Sequence, residues 1–108
     1  MCGIAGLVGL DLGAEQARAL VEGMCRRMMH RGPDGGGVTA HPDATLGMKR
    51  LAIVDLEHGE QPMLSADGSI ALVYNGEVYN APRLRADLER RGVQFRTRSD
   101  TEVVLRLY

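Results

Sequence analysis

The placing of glycine limits this chain more than any other feature. Fourteen glycines in 108 residues gather at Gly3/Gly6/Gly9, at Gly35-Gly36-Gly37 and at Gly76. They mark places where the backbone passes close to something else. The first cluster follows Met1-Cys2. A small second side chain favours removal of Met1, which leaves one residue carrying both a thiol and a free α-amine. A thiol attacks as thiolate, and an α-amine titrates close enough to neutrality to take the thiol proton, directly or through a water. That is nucleophile-plus-base chemistry with the chain end as base. The alternative is a small buried hydrophobe opening an apolar strand.

The hydrophobic pattern predicts strands and helices in alternation. Ile4 to Leu10 reads as a short buried strand. Glu15 to Met29 carries Ala17, Leu20, Val21, Met24 and Met28 at helical spacing, with Cys25 beside the stripe as core packing. A loop follows over His30 to Gly37. Val38 to Ala40, Thr45 to Asp55 and Ser69 to Tyr74 read as strands. Asn80-Ala81-Pro82 predicts a capped helix to Arg91, stopped by Gly92. Val93 to Arg96 reads as a short strand. Ser99-Asp100-Thr101-Glu102 has the form of a capping box opening a last helix.

The chain is long enough for one domain. A formal charge of −1 gives no reason to expect nucleic acid or an anionic membrane as partner. No apolar run is long enough to span a bilayer, and the acidic Asp11 and Glu15 do not suit a signal peptide. Cys2 and Cys25 form no disulfide framework and no C-x-x-C pair, so reduced thiols, a cytoplasmic setting and no metal site are expected. The apolar helix at Tyr108 has no cap, which predicts that the chain is part of a longer protein.

Four further motifs each allow two readings. His30-Arg31-Gly32-Pro33-Asp34 is either a connecting turn with a solvated arginine or a loop over a pocket in which Arg31 holds loop carbonyls or a carboxylate. Arg50 lies either on the outer face of its strand or in a pocket, where its planar fork suits a carboxylate. Asn75-Gly76 is a turn signal, or else a side-chain amide and a glycine N–H aimed at one oxygen, which makes an oxyanion hole. Asp100 reads as helix capping or as a carboxylate facing a substrate ammonium, and the two are compatible because Ser99 can be the cap. The phosphate-binding pattern G-x-x-x-x-G-K-[ST] is absent.

Taken in order, Met1-Cys2-Gly3-Ile4-Ala5-Gly6, His30 to Asp34, Arg50-Leu51-Ala52-Ile53-Val54-Asp55, Gln61-Pro62-Met63, Asn75-Gly76-Glu77-Val78-Tyr79-Asn80 and Ser99 to Glu102 closely resemble the N-terminal glutaminase domain of glutamine-dependent asparagine synthetases. These are class II glutamine amidotransferases. The resemblance covers residues 1–108. It implies an α+β chain with the N-terminal-nucleophile hydrolase fold, a four-layer α/β/β/α sandwich of which this is the N-terminal portion. It implies that Cys2 attacks the glutamine carboxamide, with Asn75 and Gly76 holding the oxyanion. Arg50, Glu77 and Asp100 would then bind the amino-acid end, and Leu51, Ile53 and Val54 would line the pocket. Ammonia would pass to a C-terminal synthetase domain using ATP and Mg²⁺, for asparagine synthetase to convert aspartate to asparagine. Met48 departs from the pattern, because the family often has histidine there. Two alternatives stand beside this reading: a related amidotransferase with another carboxylate acceptor, and a non-catalytic fragment that pairs with a partner chain or a second copy through exposed strand edges.

Overall fold

The computed structural model describes residues 1–52 and 57–108. Ile53, Val54 and the far end of the strand expected to reach Asp55 lie outside the described residues. Three strands, β1 (Gly3–Val8), β2 (Gly35–His41) and β3 (Ala44–Arg50), form an antiparallel sheet in the order β1-β3-β2. β2 and β3 are a hairpin with His41 opposite Ala44, turned by Pro42-Asp43. β2 starts at Gly35 rather than Val38, so the glycine run expected in a loop pairs with Met48, Lys49 and Arg50 instead.

The helix α1 (Ala14–Arg27) packs across one face of all three strands, with Val21 and Cys25 as its buried positions. Burial pushes the Cys25 thiol pKa up, as befits core packing. Gly47, in the middle of β3, sets how closely the helix approaches. A Cβ there would lie 2.6 Å from both Cys25 Sγ and Val21 Cγ1. Gly47→Ala is expected to push α1 off the sheet at a cost of about 1–3 kcal/mol, read from urea unfolding of the whole protein. Leu20 and Met24, expected in the buried stripe, are half-exposed. They flank the Val21–Cys25 line that meets Gly47, and a three-stranded sheet is too narrow to cover them.

The expectation of a buried first strand is corrected. β1 is an outer strand that ends at Val8, where Gly9 turns with φ +67°. Leu7 faces Ala14 and Ala17 of α1, whereas Ile4 and Val8 point the other way and are 49% and 70% exposed. That second face is covered nearer β2. There Gln61 O and Pro62 lie 3.4 Å from where a side chain on Gly37 would begin. Met48, opposite Gly37, is fully buried, so it serves as core.

The strand expected over Ser69 to Tyr74 is reduced to β5 (Ala71–Leu72), paired with β4 (Met63–Leu64). Asp67 organises their turn. Its carboxylate accepts from the Ser69 N–H and from the Ser69 and Ser65 hydroxyls, which hold its pKa down at about 2.

Two helices complete the described chain, α2 (Ala81–Arg90) and α3 (Asp100–Leu107). Asn80 precedes α2 without a side-chain capping bond. Gly92, at φ +90°, ends its C-terminal turn. Ser99 caps α3 by accepting from the Thr101 N–H. Glu102 does not close a capping box. Its carboxylate instead takes the N–H groups of Arg96 and Thr97. Val93 N–H bonds Leu88 O, so the strand expected over Val93 to Arg96 has its first and last donors committed elsewhere and does not form. No described helix is long and apolar enough to cross a membrane.

Candidate active site

The pairing of Gly3 with Lys49 carries Cys2 to the end of β3, level with Arg50 and next to Leu51. The two residues exchange hydrogen bonds: the thiol donates to Leu51 O at 3.6 Å, and Leu51 N–H donates to Sγ at 3.3 Å. Ala52 N–H goes to Asp34 Oδ2 at 2.9 Å. Beyond Arg50, therefore, side chains take the backbone donors that a neighbouring strand would otherwise take, and β3 ends.

Two long-range donors fix the Cys2 backbone. Arg31 Nε donates to Cys2 O at 3.2 Å and Asn75 Nδ2 donates to the same oxygen at 3.1 Å. The arginine of the His30–Asp34 loop holds the carbonyl of Cys2, 29 residues away, rather than one of the loop's own. An amide NH₂ has two hydrogens, so the Asn75 bond to Cys2 O still leaves one to offer a reacting oxygen.

A cavity of about 340 Å³ opens beside the thiol. Met1, Cys2, Arg50, Leu51, Asn75, Gly76, Glu77 and Asp100 line it, and Gln61, Tyr74 and Thr101 close its wall. Every described residue that the sequence singled out for nucleophile, oxyanion or amino-acid recognition faces this one space. A larger surface cleft of about 1140 Å³, between α2 and the segment before α3, contains neither Cys2 nor any residue bonded to it.

Charge is arranged to suit a zwitterion. The Arg50 side chain is almost completely buried and contributes a cation, while Glu77 and Asp100 contribute two carboxylates. Asp100 Oδ2 accepts from Val78 N–H at 2.9 Å, which ties the start of α3 to the Asn75–Val78 loop. Ser99 does the capping, so Asp100 is not needed for it. At Gly76 a Cβ would lie 2.7 Å from Tyr74 Oη, and any side chain would displace that ring.

Two residues of this region carry more than their sequence context signals. Gln61, 8% exposed, accepts from Tyr74 N–H at 2.6 Å and donates to Tyr74 O at 3.1 Å and Thr101 Oγ1 at 3.3 Å. The order Gln61-Pro62 marks a motif but gives no hint of these partners. Glu102 is fully buried under the site. Burial raises its pKa, yet donation from Arg96, Thr97 and Arg106 outweighs that and leaves it lowered.

The sequence matches the family described as glutamine amidotransferase domain over residues 1–108. It is 43% identical over 108 residues to asparagine synthetase [glutamine-hydrolyzing] 3 of Arabidopsis thaliana, covering all of this chain and 18% of that protein. It is 44% identical over 109 residues to a probable asparagine synthetase [glutamine-hydrolyzing] of Dictyostelium discoideum, covering all of this chain and 20% of that one. The chain thus spans no more than a fifth of these relatives' length. With its thiol, amide and charged groups set around one cavity, this chain belongs to the glutamine amidotransferase domain family.

Proposed function

We propose that these residues form the glutamine-hydrolysing part of an asparagine-synthetase-type amidotransferase. The observation that carries this reading is the shared cavity of Cys2, Arg50, Asn75, Gly76 and Asp100. Met1 is 75% exposed at its mouth, which makes it accessible to removal. The freed α-amine of Cys2 takes the thiol proton as Sγ bonds to the carboxamide carbon of glutamine. The developing oxyanion receives the Asn75 amide and the Gly76 N–H. The C–N bond then breaks, and the ammonium formed from the α-amine returns its proton to the departing ammonia. Water, deprotonated by the same amine, cleaves the thioester and releases glutamate and the thiol. Arg50 pairs with the substrate α-carboxylate, while Asp100, assisted by Glu77, takes the α-ammonium.

The sheet and α1 supply one β layer and one α layer of the four-layer N-terminal-nucleophile hydrolase sandwich, which the remaining chain completes. Ammonia passes to a synthetase domain, whose acceptor is aspartate by analogy with the relatives' names. ATP and Mg²⁺ belong to that domain. The cavity here, with two carboxylates against one guanidinium, is a poor fit for a polyphosphate, and no step described above involves one. A cytoplasmic setting keeps both cysteines as thiols.

The test is glutamate release from glutamine by the whole protein, with mass spectrometry confirming loss of Met1. Asn75→Ala is expected to lower kcat about 10²–10³-fold, the usual loss for one oxyanion donor. A processed, folded protein that releases no glutamate overturns the reading.

A further inference from the structure

Gln61 sits where none of the proposed chemistry takes place, yet its carboxamide is committed on every side. Its oxygen accepts from Tyr74 N–H, and its two N–H groups go to Tyr74 O and Thr101 Oγ1. Because Tyr74 offers one donor and one acceptor, only one orientation of the amide fits, which fixes which end is oxygen. Both amide hydrogens are in use, so Gln61 has none left for a substrate although it borders the cavity. It grips the N–H and C=O of Tyr74, the residue directly before Asn75-Gly76, the way a neighbouring strand would. Through Thr101 it joins Tyr74 to α3, one residue beyond Asp100. The described strand β5 ends at Leu72, so Tyr74 lacks a strand to hold it and the side chain of Gln61 takes that place.

We infer that Gln61 is a positioning residue of the proposed glutaminase: it holds Tyr74 so that Asn75 and Gly76 face the reacting oxygen. It also keeps the oxyanion donors in register with the ammonium-binding end at Asp100. This rests on the reading given under Proposed function. An oxyanion donor acts on the transition state more than on bound substrate, so misplacing it lowers kcat and leaves KM nearly unchanged. The thiol of Cys2 is held by Leu51, and the Cys2 carbonyl by Arg31 as well as Asn75; Gln61 bonds neither Leu51 nor Arg31.

The test uses the whole protein with Gln61→Met, which keeps the length of the side chain and removes all three bonds, and Gln61→Glu, which keeps an acceptor for Tyr74 N–H. Gln61→Met is expected to lower kcat for glutamate release about 10–100-fold with KM within about threefold, and Gln61→Glu to fall between it and wild type. Alkylation of Cys2 by iodoacetamide needs the thiol but no oxyanion donor, and its rate is expected to stay within about twofold. A folded Gln61→Met with wild-type kcat overturns the inference. So does a variant in which KM, alkylation and kcat all deteriorate together, since that is general loosening. If Gln61→Met fails to fold, Gln61→Glu decides by the same readings. If neither folds, Gln61 is scaffold alone and the inference falls. A processed wild type without glutaminase activity removes the functional reading as well, an outcome that the variants' behaviour cannot imitate.

Discussion

Cys2→Ala is expected to lower glutamine hydrolysis by at least about 10⁴-fold, the scale on which enzymes lose activity without their nucleophile. Among the described residues, Cys2 carries the only thiol that lines the cavity. Alanine keeps the backbone carbonyl that Arg31 and Asn75 hold. What it removes is the reciprocal pair with Leu51, at a structural cost of about 1 kcal/mol. The variant should therefore remain folded while glutamate release vanishes, and a melting curve beside the glutamate assay separates the two effects. Appreciable hydrolysis by a folded Cys2→Ala protein would place the nucleophile elsewhere.

The largest loss of stability is expected at Glu102. This carboxylate is fully buried and accepts from the Arg96 and Thr97 N–H groups, the Thr97 hydroxyl and the Arg106 guanidinium. Glu102→Ala leaves those donors facing a void and is expected to cost about 3–5 kcal/mol, as when one partner of a buried pair is removed. The effect depends on pH. The folded pKa is depressed below the ordinary glutamate value, so the charge contributes fully above about pH 4.3 and its contribution fades as pH falls through the folded value. The gap between wild type and Glu102→Gln should accordingly be widest near about pH 7 and shrink below about pH 4. Urea unfolding of the whole protein at both pH values measures this, and a gap that widens in acid contradicts the assignment.

Glu102 also shows where the sequence stops being informative. The capping-box pattern located the start of α3 correctly, because Ser99 and the backbone it caps are neighbours in sequence. It misdirected the glutamate, whose better partners lie five and six residues upstream in a segment that alternates like a strand. The helix spacing of α1 was likewise readable, but which part of the stripe would be buried depended on Gly47 in a distant strand. The residues that line the cavity with Cys2 were singled out through the resemblance of their motifs in order, since each motif alone allowed a plain structural reading. Gln61 was not readable in this way, since a glutamine acting on backbone carries no signature of its target.

The three tethers of Cys2 reach across 29, 49 and 73 residues. None can form from local structure, so each must await a long loop closure. The thiol acquires its surroundings only when the helix–strand connection, the end of the hairpin and the loop after β5 have all arrived. A half-folded chain has the Cys2 thiol without Asn75 and Gly76 beside it and without the cavity around it. On the proposed reading, glutamine hydrolysis is thereby withheld until these distant segments have met.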